Sequence, residues 1–205
     1  MNQIKTTVLL LLCLTINNTI ASQTNSTSEE TLYFDIVYNN KTIGSLKATK
    51  TSNDSLTYYQ SSTTIETRII KKINVNHEYN VTFNGNMLKT SNVDITINDK
   101  PHAKTFTKKS ETGYQVLKNE KDKETVKDPI YYATVLLYFT EPKHVDRCYS
   151  EQTGNFNTII ALGNHAYKKV NSKERENNYY YKNGLLKRAS IDGGLIKFDI
   201  IARNK

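Results

Sequence analysis

Cysteine is nearly absent from this sequence. Cys13 and Cys148 are the two present, and Cys13 falls in a segment that reads as removable. With Cys148 alone, no intramolecular disulfide can form, so stability has to come from the core. One thiol also cannot complete a zinc site of the usual kind. Its ordinary role is that of a small buried hydrophobe. No stretch after the N-terminus approaches the ~20 apolar residues of a spanning helix. No Lys/Arg-rich 5–8-mer or aromatic-studded RNP-like segment occurs, which leaves nucleic-acid binding without support. There is no G-x-S-x-G, no Walker loop and no glycine-rich dinucleotide fingerprint. The histidines, His77, His102, His144 and His165, show no HxH, HxxxH or HExxH spacing, so no metal site and no cofactor is expected. Tryptophan is missing too, and tyrosine (14, against 6 Phe) carries the aromatic content. Tyrosine-rich strands suit half-exposed sheets or amphipathic cavity walls.

The N-terminus has the layout of a secretory signal peptide. Lys5 supplies the positive n-region, Val8 to Ile16 the apolar stretch, and Thr19-Ile20-Ala21 the small residues before a cleavage site. Residues 1–21 are therefore expected to be removed, and the protein to be exported to a periplasm or beyond. Loss of Lys5 takes the net charge from +8 to +7 over about 184 residues, a length for one domain that buries about 70% of its unfolded surface. The lysine excess reads as a solvated surface, and the run from Lys118 to Lys127 is balanced by Glu120, Asp122 and Glu124. Residues 22–30 are small and polar and are expected to form a disordered leader, with a single domain over 31–205.

Residues 73–83 alternate without a break. Ile73, Val75, His77, Tyr79, Val81 and Phe83 fall on one side, with Asn74, Asn76, Glu78, Asn80 and Thr82 on the other. That period of two is the pattern of a half-buried strand. Similar runs recur along the chain, divided by turn pairs such as Asn84-Gly85, Asn183-Gly184 and Gly193-Gly194. About eleven strands predict an all-β, mainly antiparallel fold, one curved sheet forming a barrel or half-barrel. One segment departs from the pattern. Asp128-Pro129 opens it with helix-start chemistry, and an apolar run continues to Phe139 before Glu141-Pro142. It predicts one short buried helix near 129–138, with a continuous buried strand as the alternative.

The buried face of 73–83 makes His77 the leading candidate for a functional side chain. A neutral imidazole among apolar residues is either a bonded core histidine or a polar group orienting a ligand. Ile73, Val75, His77 and Tyr79 would line such a ligand site, and Tyr131 and Leu136 of the 129–138 segment would cap it. Glu141 and Glu151 offer a carboxylate pair. Acid–base chemistry would need His77 or Tyr149 within reach of one of them. No catalytic motif accompanies them, and a non-enzymatic role is expected.

Three phrases, Leu137-Tyr138-Phe139-Thr140-Glu141-Pro142, Cys148-Tyr149-Ser150-Glu151-Gln152-Thr153-Gly154 and Asn178-Tyr179-Tyr180-Tyr181-Lys182-Asn183-Gly184, follow one another in order. With Tyr33-Phe34-Asp35-Ile36-Val37 and Thr42-Ile43-Gly44 they resemble an uncharacterised family of secreted β-rich proteins of flavobacteria-like Gram-negative bacteria, a domain of unknown function. The family is distantly similar to periplasmic half-barrels that carry lipid, such as the lipoprotein-localisation carriers. The resemblance implies an envelope location and draws attention to Glu141, Tyr149 and Glu151; it brings no activity. The ligand it implies is a lipid or another apolar small molecule on the concave face. The alternative is a structural or interaction module with a solid core.

Overall fold

The computed structural model describes residues 27–68, 72–194 and 196–203; the side chains at 67–68 and 72–73 lie outside the description. Among the described residues, fourteen strands form one antiparallel sheet. The first arm comprises β1 (Ser28–Tyr38), β2 (Lys41–Asn53), β3 (Leu56–Arg68), β4 (Lys72–Asn84), β5 (Met87–Ile97), β6 (Lys100–Ser110), β7 (Gly113–Lys118) and β8 (Asp122–Val126). The second comprises β9 (Arg147–Ser150), β10 (Asn155–Gly163), β11 (Ala166–Val170), β12 (Glu176–Lys182), β13 (Leu185–Asp192) and β14 (Lys197–Ala202). Each arm is a meander, and β1 and β14 join them at the middle of the sheet.

The alternation at 73–83 belongs to β4, paired with β3 and β5 along its length. Register carries its inward residues into continuous rows: Phe34, Leu46, Thr63, His77, Ile95 and Ala103 lie side by side across β1 to β6. Five of the hairpins use asparagine where others use glycine. Asn39-Asn40, Asn98-Asp99, Asn119-Glu120, Asn164-His165 and Asn183-Gly184 all take positive φ at both positions, the geometry that matches strand twist. The β4–β5 turn is shifted by one from the expected Asn84-Gly85: Asn84 ends the strand and Gly85 alone takes the positive φ.

Two boundaries differ from the sequence expectation. β1 starts at Ser28, so the end of the leader expected over 22–30 is already paired, with Ser28 opposite Ser52. β8 occupies part of the mixed-charge run that gave no strand signal. Four of its five residues are exposed, so it has no apolar face to produce an alternation.

The ladder does not close. Instead, side chains stitch the two ends of the sheet together. Thr105 Oγ1 donates to the Gln152 carbonyl at 2.8 Å, and Thr107 shares a 2.8 Å hydrogen bond with the Tyr149 hydroxyl. Gly154 sits so close to β7 that a Cβ there would lie 2.6 Å from Val116 Cγ1.

The chain between β8 and β9 runs through the interior. Ile130, Ala133, Val135, Leu137 and Phe139 are all buried, each worth roughly 2 kcal/mol in apolar burial for the larger ones. The expected helix near 129–138 is not formed; a single 3-10 turn spans Thr134–Tyr138. Neighbouring strands have taken the backbone groups that a longer helix would use. The Ile130 carbonyl accepts from Leu88 N at 2.9 Å, and the Tyr132 carbonyl from Tyr149 N at 2.8 Å. Ala133 is extended and forms an isolated bridge with Tyr149. The turn that remains packs against β3, β9 and β13. Phe34 meets Tyr138, and Tyr59 meets Phe139, at ring-centroid distances of 5.8 and 5.5 Å.

Candidate functional site

Glu151, at the end of β9, is fully buried and holds the start of the turn. Its Oε1 accepts from Val135 N at 2.9 Å and its Oε2 from Thr134 N at 3.0 Å. These are two of the donors that a turn leaves open at its first residues. Burial raises the Glu151 carboxyl, and the Val135 and Glu151 N–H groups and nearby Lys169 offset part of that rise. The Lys169 Nζ donates to Thr134 Oγ1 at 3.3 Å from β11. Burial works against the ammonium, yet Tyr179, Cys148 and Glu151 around it hold its pKa above the usual lysine range. Cys148 lies in the same cluster, fully buried, and burial pushes its thiol up to about 12.

Glu141 holds the other end. It is buried just beyond the turn, with the Tyr167 hydroxyl donating to Oε1 at 2.8 Å and His165 Nδ1 also 2.8 Å away. Burial would raise this carboxyl. Tyr167, His165 and Lys143, whose Nζ is 3.7 Å from Oε2, outweigh it and hold the pKa below the ordinary carboxylate value. Between the two anchors, the Tyr181 hydroxyl donates to the Leu137 carbonyl at 2.8 Å, and the Tyr132 hydroxyl donates to the Thr140 carbonyl. Tyr149 is buried, with its hydroxyl raised to about 12 by burial despite the Thr107 hydrogen bond.

The structure therefore sets Glu141, Tyr149 and Glu151, which lie close together in the sequence, around one object, the internal segment. Each is spent on holding it. The partners of Glu141 are His165 and Tyr167, and those of Glu151 are backbone groups, so the acid–base arrangement through His77 is not the one formed. Of the wall residues, Tyr79 stands near the segment: burial, with Glu151, Tyr138 and Tyr179 close by, raises its hydroxyl. Val75, His77 and Tyr79 are half-buried on the inner face of β4; burial, with nearby His102, lowers the His77 pKa and favours the neutral ring. The Ile73 side chain lies outside the described residues. Tyr131 is exposed, 51% of its surface being accessible, and Leu136 is half-buried against the core. Among the described residues no group of three or more His, Cys, Asp or Glu could hold a metal ion.

Lys169 was not among the sequence candidates, although a signal existed. Lys168-Lys169 falls inside a strand, where alternation sends one of two neighbours inward. The partners of that inward lysine could not be read from sequence.

Two cavities open on the outer face. One, of about 500 Å³, crosses β12, β13, β14 and the end of β1, and its lining includes Asn178, Arg188, Ser190 and Asp199. The other, of about 240 Å³, lies over β2, β3 and β4 beside Lys47, Gln60, Glu78 and Asn80. Neither is an apolar chamber inside the sheet.

A curled antiparallel sheet with its ends stitched by side chains, filled by its own chain, defines a β-barrel-like protein. The chain belongs to the family described as domain of unknown function DUF6134, whose model matches residues 34–203. Among solved structures it is similar to a β-barrel-like protein of domain of unknown function DUF1849 from Brucella abortus. That likeness has a TM-score of 0.52 at 7% identity and covers 86% of this chain and 95% of the other, which establishes a shared fold. No curated protein matches the chain.

Proposed function

We propose that this protein is an exported, non-enzymatic envelope module that works through the outer face of its sheet. The observation that carries this reading is the internal segment. Ile130, Ala133, Val135, Leu137 and Phe139 occupy the concave space where an apolar ligand would otherwise sit, and Glu141 and Glu151 fasten both ends. Displacing the segment would strip Glu151 of its Thr134 and Val135 donors and Lys169 of the Thr134 hydroxyl, and would pull Glu141 away from Tyr167 and His165, a loss of several kcal/mol by analogy with broken buried pairs. Cys148 is buried with its thiol raised, and the Glu141 and Glu151 carboxylates are occupied, so none of these three offers an accessible nucleophile or base. Export is supported by the signal-peptide layout of residues 1–21.

A second reading places a lipid or other apolar ligand on the inner face beyond the internal segment. The half-buried Val75, His77 and Tyr79 favour it, with the imidazole as the orienting polar group. Native mass spectrometry of the protein purified gently from its host's envelope separates the two. The expected result is an unadducted chain beginning at Ser22. A stoichiometric lipid would transfer the function to the inner face, and an intact N-terminus would remove export by cleavage.

A further inference from the structure

From the reading that the outer face is the working surface, we infer that the 500 Å³ groove across β12, β13, β14 and β1 is a binding site for a neutral polyhydroxylated ligand, a segment of oligosaccharide. Its floor follows from register. Asn178 pairs with Ser190, Ser190 with Asp199, and Asp199 with Val37, so four short or medium side chains form one transverse row pointing outward. The neighbouring outward positions are longer. Arg188 rises on one side, and Glu176, Asp192 and Lys197 on the other, with Asn39 and Asn40 closing the end at β1. The inward neighbours Ile191 and Phe198 pack against the core and fix the floor from below. The volume lies within the range of small-ligand sites.

The lining selects the ligand by elimination. An apolar chain finds no continuous apolar wall, because Val37 stands among outward amides, hydroxyls and charges. An anion meets Glu176, Asp192 and Asp199. A cation meets Arg188 and Lys197. The charges offset one another: Lys168 reaches Glu176 at 2.8 Å, Arg188 reaches Asp199 Oδ2 at 2.9 Å, and Asp192 and Lys197 stand opposite each other in register. What remains is a field of fixed planar donors and acceptors without net charge. Ser190 Oγ donates to Asp199 Oδ1, so that carboxylate is held by both a hydroxyl and a guanidinium. Vicinal hydroxyl groups, each both donor and acceptor, match such a surface.

Two further features fit a sugar. Asn178 Oδ1 is one of five buried side-chain polar atoms without a hydrogen-bond partner among the described residues, and the one whose residue lines this groove, where a ligand hydroxyl would supply the donor. The broad terminal torsion of an asparagine lets the amide turn that oxygen toward the groove. Beside the groove, Tyr180 presents a ring that is 40% exposed, with the Arg188 guanidinium 5.9 Å from its centroid. A half-exposed ring with a polar edge is a platform on which the C–H face of a pyranose can lie.

The test is a titration of the ¹⁵N-labelled exported protein followed by amide chemical shifts. The probes are chitohexaose, cellohexaose and maltohexaose, with inorganic phosphate, succinate and decanoate as controls. The expected result is saturable movement of the Asn178, Ser190, Asp199 and Val37 amides with at least one hexasaccharide, unchanged between about 50 and 500 mM salt because no net charge is engaged. Ser190→Tyr fills the floor with a good strand residue, and Tyr180→Ala removes the platform. Both variants should keep the wild-type spectrum elsewhere and weaken binding about tenfold or more. No response to the three saccharides, or a response in this groove to phosphate, succinate or decanoate instead, would overturn the assignment. Either outcome leaves the outer-face reading to the mass-spectrometric test.

Discussion

The Glu151 carboxylate accepts the backbone N–H of Val135 at 2.9 Å, and through this bond the end of β9 fixes the first residues of the internal turn. Its second oxygen takes the adjacent Thr134 N–H, so one side chain satisfies two donors that the extended approach from Ile130 to Ala133 leaves open. The filled interior depends on this pair more than on any propensity in the 129–138 sequence.

Glu151→Ala should therefore be among the most damaging substitutions in the protein. It strands the Thr134 and Val135 donors and removes the nearest carboxylate to buried Lys169, for a loss of about 3–5 kcal/mol. Urea unfolding followed by far-ultraviolet circular dichroism measures it. A loss no larger than that of an exposed control such as Glu111→Ala would contradict the anchoring role.

Tyr181→Phe removes only the hydroxyl that donates to the Leu137 carbonyl. The ring stays packed edge-on against Tyr167, so the expected cost is that of one buried hydrogen bond with its acceptor left behind, about 1–2 kcal/mol. Tyr180→Phe, on the neighbouring exposed position, should change stability by less than about 0.5 kcal/mol. Equal effects at 180 and 181 would mean that the bond to Leu137 carries nothing.

Glu141 should make the protein acid-sensitive. Its folded pKa lies below the ordinary value, since burial is outweighed by Tyr167, His165 and Lys143. Its contribution is then fully present above the unfolded carboxylate pKa of about 4.3 and is lost as the pH falls through the depressed folded value. The stability gap between wild type and Glu141→Gln should shrink as the pH is lowered from about 7 to about 3. Glu151 acts with the opposite sign: its raised pKa favours the protonated form in the fold, so it cannot be the source of this acid loss. A gap that stays constant across the titration would remove Glu141 from the account.

Cys148 should be silent in the native state. Its thiol is fully buried and raised to about 12, so iodoacetamide should label it only when the fold opens. Labelling should become rapid in urea at concentrations that unfold the sheet. Fast modification without denaturant would show that the interior cluster is open to solvent.

Several features of this protein are local and could be read in one dimension. The unbroken alternation of β4 appears in the sequence because each inward residue needs an outward neighbour, whatever lies opposite. The Asn183-Gly184 turn is legible for the same reason, since positive φ is a property of those residues. The mixed run at 118–127 hid β8, because a strand exposed on both sides carries no hydrophobic period. The 129–138 segment shows the limit more sharply. Asp128 and Pro129 carry genuine helix-start chemistry, but Leu88 and Tyr149 compete for the same backbone groups, and they come from β5 and β9.

Sequence by itself determined an all-β meander and the inward side of each long strand. Tertiary structure alone decided what the concave space contains. The apolar run at 130–139 could equally have lined a cavity or filled it, since both bury the same side chains. The balance was set by groups far apart in the chain: Glu151 supplying acceptors for Thr134 and Val135, Tyr181 a donor for Leu137, and Tyr167 a donor for Glu141. Once those polar groups are buried, only their long-range partners make burial affordable, and no one-dimensional pattern records which partners will meet.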